Sequence, residues 1–108
     1  VEYFVKIDDV DVPICKGVYK PSDDTWIAIE LLLRAIKLCG ERNLTVIDVG
    51  CGTGILGFYA ARMLGNRISS LILIDINSNA CSCALEGLKR NKLAHLGSVV
   101  CCDNITCL

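Results

Sequence analysis

The chain has 108 residues, 53% of them hydrophobic and 21% charged, and its 11 Lys and Arg against 12 Asp and Glu leave a net charge of −1. That is about one domain's length, too apolar for a disordered chain and too evenly charged for broad binding to nucleic acid or an anionic membrane. Glu30, Arg34, Asp48, Arg62 and Asp75 interrupt the apolar runs, so no stretch of about 18 uncharged residues is left to span a bilayer. Val1 to Lys6 carry no secretory leader pattern, and the expected location is the cytoplasm.

Residues 1–20 read as a short-strand region and 21–108 as the main domain. In the first, 2–7 and 14–19 are predicted to pair as strands, with Asp8, Asp9 and Asp11 in the turn. Pro21-Ser22-Asp23-Asp24 signals a helix start, and Gly40 stops that helix after Cys39. Ala28, Leu32, Ala35, Ile36 and Cys39 form its inner stripe, while Glu30, Arg34, Lys37 and Glu41 form the wet one. Residues 45–49 read as a buried strand, 55–64 as an apolar helix ended by Gly65-Asn66, and 70–74 as a second buried strand. A helix over 78–91 follows, with Cys81, Ala84, Leu85 and Leu88 inward, then a strand over 98–102. Alternating helices and continuous apolar strands predict an α/β fold with a parallel sheet and right-handed crossovers. Lys89-Arg90-Asn91-Lys92 reads as the solvated end of a helix, where cations suit the dipole, rather than an RNA site.

Cysteines stand at 15, 39, 51, 81, 83, 101, 102 and 107. Most lie in apolar segments, so they are expected to be reduced and to pack as small hydrophobes. No C-x-x-C pair is present and His95 is the only histidine, so no metal site is expected.

In such a sheet ligands bind beyond the carboxyl ends of the strands. Gly50-Cys51-Gly52-Thr53-Gly54, Asp75 and Asp103 all fall there. Closely spaced glycines let backbone approach a ligand without Cβ clashes, and a carboxylate at position 75 can accept both hydroxyls of a ribose. Gly52 to Gly57 also match G-x-G-x-x-G, which alone would suggest NAD and an oxidoreductase fragment. Asp48 argues against that reading. A carboxylate inside a buried strand needs a cation or several donors, and it would repel a pyrophosphate. S-adenosylmethionine (SAM) offers a ribose for Asp75, an ammonium for Asp48 and no phosphate.

Val46-Ile47-Asp48-Val49-Gly50-Cys51-Gly52-Thr53-Gly54 resembles motif I of class I SAM-dependent methyltransferases, and Leu73-Ile74-Asp75-Ile76-Asn77 resembles their acidic second-strand motif. Val18-Tyr19-Lys20-Pro21-Ser22-Asp23-Asp24-Thr25-Trp26 is similar to the V-Y-x-P-x-E-D-T segment of the HemK/PrmC-like branch, with Asp23 in place of Glu. The resemblance covers about residues 15–105 and implies the donor-binding half of a Rossmann-like, three-layer αβα fold with SAM as cofactor. It implies that Asp48 and Gly50 line the methionine part and that Gly52 and Gly54 close the loop, with Cys51 between them. Asp75 would bind the ribose, Ile76 would pack near the adenine, Asn77 would belong to the same cofactor-binding set, and Asp103 and Asn104 would reach the adenine ring or its exocyclic amine. Thr25 would touch the donor's carboxylate, with helix capping as its plain alternative.

That branch methylates a glutamine of translation release factors, so the implied partner is a protein acceptor. Its Asn-Pro-Pro-Tyr motif and later strands do not occur here, and the only prolines are Pro13 and Pro21. No catalytic residue is therefore named. The expectation is a truncated chain, or one completed by a partner subunit or by self-association along the sheet edge left open. The alternative is a non-catalytic SAM-binding or partner subunit.

Overall fold

The computed structural model describes residues 1–108. Two strands, β1 (Tyr3–Ile7) and β2 (Val10–Ile14), form an antiparallel hairpin. Then come α1 (Asp23–Leu38), β3 (Leu44–Val49), α2 (Ile55–Leu64), β4 (Ile68–Asp75), α3 (Ser78–Arg90) and β5 (Gly97–Cys101). Short 3-10 turns occupy Gly65–Arg67 and Ile105–Cys107. β3, β4 and β5 lie side by side in that order as a three-stranded parallel sheet, the predicted Rossmann-like arrangement.

Cross-strand register sorts the sheet's side chains into two faces. Val46 and Asp48 share a face with Leu71, Leu73 and Asp75, and with Gly97, Val99 and Cys101. α2 and α3 pack on this face: a Cβ at Gly57 would meet Leu73 at 2.6 Å, and Gly97 lies against Leu88. Thr45, Ile47, Val49 and Ser98 stand exposed on the other face. Of the three layers implied by the resemblance, this chain supplies the sheet and one helical layer, and β3 is an edge strand.

The hairpin differs from expectation. Its second strand is Val10–Ile14, not 14–19, because Asp8 takes a left-handed conformation (φ 52°) and closes a two-residue turn. That register points Val10, Val12 and Ile14 into the same core as α2, α3 and the sheet. Asp11 falls within the strand, where Lys6 Nζ meets it at 3.1 Å. Buried Asn91 fastens the strand to the end of α3. It accepts from the Asp11 N–H at 2.8 Å and donates to the Asp11 and Gly87 carbonyls at 2.7 and 2.8 Å.

The buried face of α3 is Ala80, Cys83, Ala84, Gly87 and Leu88. Cys81 is half-buried and Leu85 exposed. The stripe is rotated from the predicted one because fully buried Phe58 presses on Gly87, where a Cβ would lie 2.5 Å from its ring. On α1 only Ile29 is fully buried; Ala28, Leu32 and Ile36 of the expected stripe are half-buried and Ala35 is exposed.

The cysteines also depart from expectation. Cys15–Cys83 and Cys102–Cys107 are disulfide-bonded, while Cys39, Cys51, Cys81 and Cys101 keep free thiols. Cys15 follows β2 directly, and the packing of β2 on α3 brings it to Cys83 across 68 residues of sequence. The last 3-10 turn folds Cys107 back to Cys102. Both encounters arise from tertiary folding that residue spacing does not display.

Candidate functional site

The carboxyl ends of β3 and β4 carry the glycine loop and two carboxylates. The amides of Gly50 and Cys51 both donate to the Ile74 carbonyl, at 2.8 and 2.9 Å, which ties the loop's start to the neighbouring strand. Gly52 and Gly54 have φ of 55° and 90°, a region that glycine enters freely and other residues resist. At Gly54 a side chain would strike the Phe58 ring at 2.6 Å, whereas at Gly50 and Gly52 it would meet nothing within 4 Å. The loop is thus packed from beneath at Gly54 and open above Gly50 and Gly52.

Asp75 spans two loops. One of its oxygens accepts from the Gly52 amide and the other from the Asn77 amide, each at 2.9 Å. Each oxygen keeps a lone-pair direction for another donor. Asn77 caps α3 by accepting from the Asn79 amide at 2.9 Å, and its side-chain amide donates to the Gly17 carbonyl at 3.0 Å. Asn77 therefore positions the second loop and the strap at Gly17 together.

Asp48 accepts from the Gly57 amide at 3.2 Å, in the first turn of α2. Burial raises its pKa from 3.8 to about 6; the Gly57 hydrogen bond lowers it, and the nearby Asp75 charge raises it. No Lys or Arg comes within salt-bridge reach of Asp48 or Asp75. Two neighbouring carboxylates without a counter-cation make the site attractive to a positively charged group. Cys51, buried between them, has its thiol pushed up to about 12, first by burial and then by the charges of Asp48 and Asp75. It is a packing residue, not a nucleophile.

Asp48 also lines a cavity of about 390 Å³ with Ala28, Leu32, Ile47, Leu56 and Gly57. A larger hollow of about 710 Å³ lies by Val1, Lys16 and the Cys15–Cys83 disulfide, but it lacks both the glycine loop and the two strand-end carboxylates. Thr25 lies one turn before Ala28 on the same side of α1, and its hydroxyl accepts from the Ser22 amide at 3.0 Å, the capping alternative. Ile76 is 73% exposed just beyond Asp75. Asp103 and Asn104 are exposed past β5, where Asn104 accepts from the Thr106 amide at 2.8 Å.

The structure thus brings together Asp48, Gly50, Cys51, Gly52, Gly54, Asp75 and Asn77. The hydrogen bonds of Thr25 and Asn104 go to their own helix or turn. Sequence reasoning missed Gly57, whose amide holds Asp48, and Phe58, which supports Gly54. Gly57 was visible as the last glycine of G-x-G-x-x-G. Phe58 carried no signal beyond its hydrophobicity.

A glycine loop and two strand-end carboxylates on a parallel α/β sheet define a nucleoside-binding domain of the methyltransferase kind. The sequence model of the methyltransferase small-domain family matches residues 15–106, and the chain belongs to that family. It is 31% identical over 86 residues to methyltransferase HEMK2 of Mus musculus, an alignment covering 79% of this chain and 38% of the mouse protein. It is also 31% identical over 84 residues to the release factor glutamine methyltransferase of Fusobacterium nucleatum, covering 78% of this chain and 23% of that protein. The chain thus spans well under half the length of these relatives. Among solved structures, Trm5b of Pyrococcus abyssi superimposes with a TM-score of 0.66 at 19% identity, over 93% of this chain and 28% of that one. The ribosomal protein L11 methylase of Lactobacillus delbrueckii gives 0.61 at 24% identity, over 81% and 42%. At such identities these two likenesses speak for the fold. SAM is the methyl donor of this family, and the residues present suit it: open space above Gly50 and Gly52, and paired carboxylates lacking a cation. No helix is long and apolar enough to cross a membrane.

Proposed function

We propose that the chain is the donor-binding part of a cytoplasmic SAM-dependent methyltransferase that N-methylates a glutamine side chain of a protein such as a translation release factor. The observation that carries the donor site is the pair Asp48 and Asp75, joined to the glycine loop through Gly57 and Gly52 and free of any counter-cation. SAM supplies an electrophilic methyl group on a sulfonium. Asp75 receives the ribose hydroxyls while its bonds to Gly52 and Asn77 fix its direction. Asp48 faces the ammonium of the methionine end, and Gly50 and Gly52 leave room for the donor to approach backbone. Ile76 offers an apolar face to the adenine, Asp103 stands at the rim, and Asn104 and Thr25 complete it after moving from their present partners.

The acceptor assignment draws on the release factor glutamine methyltransferase of Fusobacterium nucleatum and on the V-Y-x-P segment at Val18 to Trp26. Calorimetry with SAM tests the donor site: the chain should bind, and Asp75→Ala should bind at least about tenfold more weakly. Equal affinities would remove Asp75 from the site. Methyl transfer to a glutamine-containing release-factor peptide, measured on the longest natural form of the protein, tests the acceptor.

A second reading follows from β3. It is an edge strand with Ile47 and Val49 exposed, and further strands, from this protein or a partner subunit, would add there. Light scattering checks this: a sharply melting monomer of the bare chain at high concentration would argue against it.

A further inference from the structure

Beside the carboxyl end of β4, the start of α3 and the end of β5 carry a feature that the proposed reading leaves unused. Cys81, in the first turn of α3, donates its thiol to the Asp75 carbonyl at 3.3 Å. Cys101, the last residue of β5, donates to the Ile76 carbonyl at 3.8 Å. The two thiols thus grip successive carbonyls on either side of the Asp75–Ile76 link. Cys101 is the register partner of Asp75, on the same sheet face that α3 covers. The two side chains thus converge on one short stretch of backbone, where Cys101 is close enough to raise the Cys81 pKa. Both are free thiols, Cys101 exposed and Cys81 half-buried. The adjacent Cys102 is already bonded to Cys107, which leaves Cys81 as the thiol that Cys101 meets.

We propose that Cys81 and Cys101 form an oxidisable dithiol whose closure to a disulfide weakens donor binding. The oxidant is a peroxide. The Cys101 sulfur attacks one peroxide oxygen, the O–O bond breaks, and a sulfenic acid forms with release of one water. The Cys81 sulfur then displaces that hydroxyl, which leaves as a second water, and the S–S bond forms. The two thiols lose two electrons to the peroxide, and their two protons leave in the two waters. Cys101 is the exposed thiol of the pair and meets the peroxide first, while burial first, and then the neighbouring Cys101, push the half-buried Cys81 thiol up to about 11, so the closing step should be the slower one.

Closure removes both S–H donors at once. The Asp75 carbonyl keeps only the Cys102 amide, at 2.9 Å. The peptide segment that aims the Asp75 carboxylate and presents Ile76 is then held by fewer bonds and pulled by a new covalent tie between α3 and β5. This inference rests on the donor-site reading given above, so its test measures the two separately.

The chain, with its two existing disulfides, is titrated with S-adenosylhomocysteine (the demethylated donor) before and after treatment with a few equivalents of hydrogen peroxide, and again after mild reduction. Non-reducing digestion and mass spectrometry map the new bond. Cys83 shares a tryptic peptide with Cys81, so Cys81→Ser and Cys101→Ser, each expected to abolish the cross-link, make the assignment. The expected result is a Cys81–Cys101 bond accompanied by a loss of affinity of about tenfold or more, restored by reduction. Both serine variants should keep their affinity in peroxide. A Cys51–Cys81 bond, no bond at all, or a Cys81–Cys101 bond with unchanged affinity overturns the inference while leaving the donor site standing. A reduced chain that fails to bind S-adenosylhomocysteine sinks the donor-site reading, and the switch with it, whatever the mapping shows.

Discussion

Asp48→Asn should make the unliganded chain more stable while it loses its donor. The wild-type carboxyl rises from a pKa of 3.8 to about 6 in the folded chain, chiefly through burial. Between those values the native state binds more protons than the unfolded state, so wild-type stability falls as pH rises through that window. At about 1.4 kcal/mol per pH unit, the full ionisation penalty above pH 6 comes to about 3 kcal/mol. Asparagine keeps an oxygen for the Gly57 amide and carries no charge to desolvate. Urea melts of both chains from pH 3.5 to 8 isolate the residue together with its coupling to Asp75, because carboxyls remote from it titrate alike in the two.

The stability difference should be near zero at the acid end, open between pH 4 and 6, and reach an upper bound of about 3 kcal/mol in favour of Asp48→Asn at pH 7.5. Calorimetry on the same samples should show donor affinity falling by about 2 kcal/mol or more in the variant, the usual cost of removing one partner of a buried charge pair. In the wild type, donor affinity should rise as pH increases through 6, because the ionised form receives the ammonium. A stability difference that is flat with pH, or a variant less stable at pH 7.5, would show that the carboxylate is well solvated or paired, and the electrostatic argument for the site would fail.

Four further substitutions probe the supports of the site and of the hairpin. Asp75→Ala strands the Gly52 and Asn77 amides and should cost about 1–2 kcal/mol of stability by thermal melting, beyond its effect on donor affinity. Gly54→Ala places a side chain at φ 90° against the Phe58 ring and should cost at least about 1–2 kcal/mol; Phe58→Ala, which opens the fully buried space beneath the loop, should cost about 3–5 kcal/mol. Asn91→Ala removes the three bonds that pin Asp11 and cap α3; a loss of about 1–3 kcal/mol is expected, with faster hydrogen exchange at the hairpin amides. Unchanged exchange there would show that the hairpin is held by its apolar side chains alone.

The parallel sheet was legible because residues 46–49, apart from Asp48, and 71–74 are apolar runs that lead straight into glycine or carboxylate, and strands covered by helices read that way. The loop and both carboxylates were legible for a related reason: few residue types satisfy a positive φ or a buried charge. The hairpin was misplaced because its register turns on one left-handed aspartate, Asp8, which composition does not mark. The rotation of α3 followed from Phe58 meeting Gly87, a contact between residues 29 positions apart in sequence that no periodicity within either helix reveals. The two disulfides were hidden likewise, because Cys15 reaches Cys83 only after the hairpin has packed.

The division of the sheet into two faces accounts for how the proposed donor site can be held in a chain spanning only part of its relatives' length. Asp48, Asp75 and Cys101 share the face that α2 and α3 cover. The bonds that fix the two carboxylates, to Gly57, Gly52 and Asn77, run to the loops and to the helix on that side. The exposed Ile47 and Val49 belong to the opposite face, and none of these bonds depends on what covers it. Donor binding and sheet completion are therefore separable. Mutating Val49, which is exposed on β3 and does not line the Asp48 cavity, should alter association and solubility while leaving affinity for S-adenosylhomocysteine nearly unchanged. A coupled loss of both in Val49→Lys would mean that the covered face needs the open one to hold its shape.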